Sequence, residues 1–272
     1  MAGRFDGLTD MQWEILEPLM PQNPDKRGKG KPHTPWRKVC NTIFWIMITG
    51  SRWVELPLGK KWASRSAFHR WLGVWQANGT LEKILSALRE AAFLEGLIDW
   101  DRMATDGFFS AGKGGGELVD YGYKGKGVTN HLLVDGEGSP IAIEVTSAKG
   151  DERLQVEPLL ERVSKQIKIF QKETGRLPIF EADKGYDANA LRIKLLNRSI
   201  YPIIAKRKMG KHPEDKKIAC WIRRKRWQVE RAISWLQRKF RRLVVRWERK
   251  LNYWKGFLNF SLIKYWVDRL SG

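Results

Sequence analysis

Cysteine is almost absent from this chain: Cys40 and Cys220 are the only two among 272 residues. They provide no disulfide framework and match no zinc-ligand spacing. Long apolar runs are missing as well. The longest, residues 39–49, is much shorter than the ~18 residues of a membrane-spanning helix, and residues 1–10 lack the apolar segment of a secretory signal. These absences exclude a disulfide-rich secreted protein and predict a cytoplasmic protein with no membrane partner.

Acidic residues are scarce relative to basic ones. The chain has 50 Lys and Arg against 30 Asp and Glu, a net charge of +20. A hydrophobic content of 42% excludes a disordered basic tail. Residues 101–200 balance 15 basic with 15 acidic residues, whereas residues 201–272 carry 21 against 5. Because the guanidinium group suits phosphate oxygens, the arginine-rich run 223–250 favours a nucleic-acid partner over a merely solubilising helix face.

Residues 1–98 have the pattern of short helices. Thr9 is a candidate N-cap for the first, and further apolar periodicity predicts helices near 35–50, 64–78 and 80–95. Basic residues between these helices indicate a helix-turn-helix-like region that contacts DNA. An ordinary helical packing or dimerisation domain has the same pattern and stays an alternative.

From residue 99 the periodicity changes to alternating strands and helices. The predicted strands are 102–106, 129–134, 141–146, 177–182 and 201–205, and the predicted helices are 153–173, 188–197 and one beginning near 224. This order is that of an α/β RNase H-like domain, a mixed sheet flanked by helices. The prediction assigns residues 99–272 to that domain, with the aromatic C-terminal segment as a helix that closes on the sheet.

Three carboxylates occupy positions that suit a metal site. Asp106 ends the first predicted strand and Asp183 the fourth, where side chains project into the crevice of an open α/β sheet. Glu230 lies beside an apolar helix face formed by Val229, Ile233, Leu236, Phe240, Leu243 and Trp247. Converging carboxylates repel one another and require cations, and hard oxygen ligands suit two Mg²⁺ or Mn²⁺ ions for phosphodiester chemistry. Taken singly, each acid is also a common turn former or ion-pair partner.

Neighbouring polar residues have structural interpretations. Asp187 is a candidate supplement to the metal site and Asp151 a candidate neighbour of the crevice, but both precede predicted helices and are expected to cap them. His131 lies within the second strand and is expected to be a core histidine.

Several segments resemble one family over nearly the whole chain. The segments EADKGYDANALR and WQVERAISWLQRKFRRLVVRWERK resemble the DDE transposases of bacterial insertion sequences, specifically the insertion-sequence-5 group. LTDMQWEILEPLMP and GSRWVELP resemble the N-terminal region of that group, and KGKGVTNHLLVDGEGSPIAIEVTSAKGDE its central hairpin.

The resemblance implies a function and a set of site residues. It implies a transposase that hydrolyses phosphodiesters at element ends and transfers strands into target DNA, with Asp106, Asp183 and Glu230 as catalytic metal ligands. The family pattern places tyrosine and lysine where this chain has Arg223 and Gln237. The residues expected to bind DNA are Arg223, Arg224, Arg226, Arg231, Arg238, Lys239, Arg241, Arg242, Lys184 and Tyr186.

The partners expected are double-stranded DNA, at element ends and at the target, and further copies of the chain assembled on that DNA. No small-molecule substrate is expected. Two alternatives stay open: a catalytically silent DNA-binding protein or repressor on the same scaffold, and a metal-dependent nuclease without strand transfer.

Overall fold

The computed structural model describes residues 5–24, 32–207 and 227–272. The chain forms two compact units, and their boundaries differ from the predicted division at residue 98. The helical unit comprises Met1–Ala92, Lys113–Glu117 and Leu236–Gly272, and the sheet unit comprises Phe93–Gly112 and Leu118–Trp235.

The N-terminal part is helical, as expected. Its helices are α1 (Asp10–Leu16), α2 (Trp36–Thr49), α3 (Arg65–Ala77) and α4 (Thr80–Leu94). Thr9 caps α1 in a capping box with Gln12, and the Ser64 side chain caps α3. Gly50 ends α2 in the left-handed conformation, with φ at 71°, which glycine adopts without steric cost.

Within its described residues, the sheet unit has six strands in one mixed sheet. They are β1 (Arg102–Ala111), β2 (Asp120–Gly122), β3 (Gly125–Asp135), β4 (Pro140–Ser147), β5 (Ile179–Ala182) and β6 (Tyr201–Ile204). Their order is β2-β3-β1-β5-β6, and β4 also pairs with β3. The β1–β3 and β3–β4 pairs are antiparallel, whereas β1–β5 and β5–β6 are parallel. This is the predicted RNase H-like arrangement: an antiparallel meander followed by strands connected through helices.

Two elements of this unit differ from their predicted bounds. Strand β1 extends to Ala111, so Asp106 lies in the middle of the strand and not at its end. The helix expected over 153–173 is divided into α5 (Val156–Glu161) and α6 (Ser164–Thr174), because Val163 leaves helical geometry with φ at −121°. The next helices are α7 (Asn189–Asn197) and the helical residues 227–239, named α8 here.

The C-terminal helix α9 (Leu251–Leu270) corrects the prediction that it closes on the sheet. It belongs to the helical unit and packs against α1, α2 and α3. The Asn259 amide donates to Gln76, and Trp254, Phe257 and Trp266 are completely buried. Because apolar side chains lie around most of its circumference, this helix forms the centre of a helical core.

The arginine-rich helix also ends earlier than its apolar pattern predicts. Helix α8 stops at residue 239, and Trp247, expected on its buried face, is 54% exposed. Arg242 donates to Glu248 Oε1 at 2.9 and 2.5 Å, and both side chains are buried. Buried Arg246 donates to the Glu248 carbonyl. These inward-facing charges hold residues 240–249 in a compact segment whose only regular element is the 3₁₀ turn Arg241–Leu243.

A glycine-rich stretch packs against that same segment. The Gly114 amide donates to the Arg246 carbonyl and the Glu117 amide to the Arg249 carbonyl. A Cβ on Gly116 would lie 2.1 Å from the Arg249 carbonyl oxygen, so no side chain fits there. Among the residues that the model describes, no helix combines the length and apolar character needed to cross a bilayer.

The buried Arg242–Glu248 pair predicts a large effect on stability. Replacing Glu248 with alanine leaves the buried Arg242 guanidinium without its carboxylate, and we expect the free energy of unfolding to fall by about 3–5 kcal/mol. Chemical denaturation measures this loss. The control is Glu161→Ala, which breaks the exposed pair with Arg198 and should cost less than about 1 kcal/mol. Equal losses in the two variants would contradict a structural role for the buried pair.

Candidate active site

Asp106, within β1, and Asp183, directly after β5, lie at the same level of two adjacent strands. Strands β1 and β5 are parallel, and their last paired residues are Ala104 and Glu181. Asp106 and Asp183 each follow two residues later, so the strand register places them at the same level of the sheet. The strands that precede or carry the two carboxylates are therefore neighbours in the sheet.

Local hydrogen bonds orient both carboxylates. Asp183 directly follows β5 and caps the 3₁₀ turn Lys184–Tyr186, with Oδ1 accepting from the Gly185 amide at 2.7 Å. Asp106 Oδ1 accepts from the Gly107 amide at 2.8 Å. Each bond involves one of the two oxygens and limits rotation of the side chain.

A buried tyrosine, Tyr186, lies near the acidic residues Asp106, Asp183 and Glu152. Tyr186 is 1% exposed, and its hydroxyl makes no hydrogen bond of ordinary geometry to the described part of the chain, although it lies near the Thr105 side chain. Burial raises the pKa of Tyr186, and the nearby charges of Glu152, Asp106 and Asp183 raise it further. The expectation that Tyr186 contacts DNA phosphate is therefore wrong for this conformation, because the side chain is enclosed.

Glu230 is exposed on α8. Within residues 5–24, 32–207 and 227–272, no three His, Cys, Asp or Glu side chains are arranged to hold one metal ion. The triad of Asp106, Asp183 and Glu230 therefore stays a prediction.

His131 is confirmed as a core histidine. It lies on β3 opposite Gly107, is completely buried, and its Nε2 is 2.8 Å from the Thr146 hydroxyl. Burial lowers the pKa of His131 to about 4. The imidazole is therefore neutral at physiological pH.

The two aspartates interpreted as helix caps have different outcomes. Asp151 caps the 3₁₀ turn Glu152–Gln155 and accepts from the Arg153 amide, as predicted. Asp187 does not cap α7, because Ala188 occupies that position. The Asp187 carboxylate instead accepts from the Arg192 guanidinium and the Arg207 amide.

The basic residues expected to bind DNA fall into three groups. Arg231, Arg238, Arg241 and Lys184 are exposed. Lys239 is partly buried and donates to Asp268 at 2.6 Å, while Arg242 is buried against Glu248, which corrects its assignment as a DNA contact. Arg223, Arg224 and Arg226 lie outside the described residues.

The helical unit contains a cavity of about 600 Å³ with a mixed aromatic and basic lining. Trp53 and a stacked pair, His69 and Tyr253 with ring centroids 4.2 Å apart, contribute to its wall. Arg249 and Lys250 are exposed at this cavity, and the sequence did not single them out.

Two family models match the sequence. One, described as "Transposase DDE domain", matches residues 94–254, more than half of the chain. The chain belongs to the transposase DDE-domain family. A second model, described as "Putative transposase of IS4/5 family", matches residues 8–85. The matched ranges include the strands that carry Asp106 and Asp183 as well as the N-terminal helices.

Sequence identity to the individual relatives is between 17% and 34%. A Burkholderia cepacia protein named "Putative transposase for insertion sequence element IS402" is 33% identical over 138 residues, which cover 48% of this chain and 59% of the relative. The chain thus spans less than two thirds of that relative's length. An uncharacterized Sinorhizobium fredii protein, y4sN, is 34% identical over 34% of this chain and 71% of its own length. The solved catalytic domain of Mos1 mariner transposase is 17% identical, with a TM-score of 0.30, over 72% of this chain and 90% of that domain.

The donor set of this DDE-family chain suits a divalent cation. Asp106 and Asp183 provide hard carboxylate oxygens of the kind that Mg²⁺ and Mn²⁺ prefer. The buried Tyr186 hydroxyl adds an uncharged polar atom close to them. Glu152 is the acidic neighbour that sequence reasoning missed, since its segment was interpreted only through the cap at Asp151.

The buried histidine predicts a pH-dependent stability. Because the pKa of His131 is about 4 in the folded chain and near 6.5 when exposed, the unfolded chain binds the extra proton first. The stability present above pH 6.5 should therefore fall by up to about 3 kcal/mol as the pH approaches 4. His131→Gln should show a smaller fall in chemical denaturation. The pH 7 to 8 interval is the internal control, and parallel pH profiles for the two proteins would contradict the assignment.

Proposed function

We propose that the chain is a DNA transposase that hydrolyses a phosphodiester at the ends of its element and joins the freed 3′-hydroxyl to target DNA. The observation that carries the proposal is the placement of Asp106 and Asp183 at one level of adjacent parallel strands. Membership of the DDE-domain family supports the reaction class.

Asp106, Asp183 and Glu230 are the proposed ligands of two Mg²⁺ or Mn²⁺ ions. Such ions, when bound, activate an attacking oxygen and stabilise the leaving oxygen of a phosphodiester. Local hydrogen bonds to the Gly107 and Gly185 amides orient the first two carboxylates before cations and substrate arrive. Glu230, on a helix and not on the sheet, supplies the third carboxylate.

The residues proposed to contact DNA phosphates are exposed basic residues that lie near the three acidic residues in the sequence. The Arg231 guanidinium stacks over Trp227, 4.5 Å from the ring centroid, and donates to the Glu137 carbonyl. These contacts restrain a long side chain that would otherwise lose entropy on binding phosphate. Lys184, Arg238 and Arg241 are the other exposed candidates, and the partner is double-stranded DNA on which copies of the chain assemble.

Removing any proposed ligand should abolish cleavage without abolishing DNA binding. Asp106→Asn, Asp183→Asn and Glu230→Gln keep the side-chain size but remove a metal-binding charge, so we expect cleavage of a labelled element end in Mg²⁺ to fall at least about a hundredfold. The control is Glu157→Gln, which loses an exposed ion pair with Lys194. Cleavage that persists in Asp183→Asn would exclude the assignment.

The same assay separates the two alternatives. A nuclease would cut the end substrate in Mg²⁺ but would not join the 3′-hydroxyl to a target duplex. A silent binding protein would retain the end without cutting it in Mg²⁺ or Mn²⁺.

The proposed phosphate contacts predict a steep salt dependence. Six or more contacts should lower DNA affinity at least about a thousandfold between 50 and 200 mM salt. Replacing Arg238 and Arg241 together with glutamine should reduce the magnitude of the slope of log affinity against log salt by about 0.9 for each contact. Fluorescence anisotropy measures the slope. Lys172→Gln removes an exposed charge on α6 and should leave the slope unchanged; equal effects would reduce the proposed contacts to a general charge effect.

A further inference from the structure

The carboxylate of Glu152 lies beside that of Asp183. Glu152 opens the 3₁₀ turn after β4, and this turn packs against the turn Lys184–Tyr186 that Asp183 caps. A Cβ on Gly185 would lie 2.8 Å from Asp183 Oδ1 and 3.5 Å from Glu152 Oε2. The two carboxylates therefore border the same small space, which is left open because residue 185 is a glycine.

A second glycine, Gly107, has no side chain and leaves room for Glu152 near β1. A Cβ on Gly107 would lie 3.5 Å from Glu152 Oε1, and Gly107 directly follows Asp106. Glu152 thus lies against the residue directly after Asp106 as well as against the turn that Asp183 caps.

The buried Tyr186 hydroxyl is an independent sign of a site at this position. It is enclosed, has no hydrogen bond of ordinary geometry within the described residues, and has Glu152 and Asp183 among the charges that act on it. A buried hydroxyl without a partner costs free energy, which is recovered when it donates to a nearby oxygen.

A bound cation stabilises carboxylates that lie close together. Acidic groups that share a partly buried space repel one another, and a divalent cation removes that repulsion. Because these oxygens border one space, a cation bound by Asp183 would also be attracted by Glu152.

We propose that Glu152 is a further acidic residue of this site, supplying a carboxylate beside Asp183 to the divalent cation. The inference rests on the proposed function, since it assumes that Asp183 holds a cation. It adds a residue from the segment after β4 to a ligand set otherwise drawn from β1, the end of β5 and α8.

Binding of Mn²⁺ to the full chain, followed by electron paramagnetic resonance of the free ion, tests this directly. Glu152→Gln should weaken Mn²⁺ binding about tenfold or more. The matched control is Glu157→Gln, the same change five residues along the chain, which should bind Mn²⁺ as the unmodified chain does. Unchanged Mn²⁺ affinity in Glu152→Gln would overturn the inference.

Melting temperature in chelator distinguishes a metal role from a structural one. Replacing one of several mutually repelling carboxylates should leave the melting temperature unchanged or raise it, while reducing the rise produced by Mn²⁺. A lowered melting temperature in chelator would instead make Glu152 a structural residue and overturn the inference.

Asp183→Asn separates this inference from the proposed function. If Asp183→Asn loses Mn²⁺ binding and Glu152→Gln retains it, only the role of Glu152 fails. If Asp183→Asn also binds Mn²⁺ normally, the proposed metal site itself fails.

Discussion

The parallel pairing of β1 with β5 is the constraint on which the site depends. Strand β5 reaches its place beside β1 only through the crossover that contains α5 and α6, since parallel neighbours require a long connection. Once the register is set at Ala104 and Glu181, Asp106 and Asp183 are brought to the same level although they are far apart in sequence. A shift of one residue would turn one carboxylate to the other face of the sheet.

Charged residues serve different purposes within the most basic stretch of the chain. In the helical unit, Arg242, Arg246 and Glu248 are buried and stabilise an irregular segment, so part of the most basic stretch of the chain is structural. Arg231, Arg238 and Arg241 from the same stretch are exposed. A net charge of +20 thus overstates the positive surface that a phosphate backbone meets, because a buried and paired guanidinium contributes little to it.

Helix ends were predicted correctly where the residues that set them lie within a few positions of the helix. Thr9, Ser64 and Gly50 mark helix ends that the structure retains, because a cap and its helix are separated by only a few residues. The apolar spacing from Val229 to Trp247 predicted a helix that is too long. The helical spacing continues past residue 239 into a segment where Arg242 and Glu248 pair in the interior. Helix α9 was placed on the wrong unit, since an apolar helix does not specify in its own sequence which neighbours it contacts.

The sequence by itself determined the kind of chemistry: carboxylates after predicted strands, an arginine-rich stretch, and the family pattern that includes DKGYD and VER. These are properties of residue type and short spacing, which act before folding. Only the tertiary structure decided which side chains are enclosed and which acids are neighbours. It buried Tyr186 and Arg242, and it brought Glu152 to Asp183 through two glycines, Gly107 and Gly185. Such contacts depend on the packing of segments distant in sequence, and no local pattern of residues encodes them.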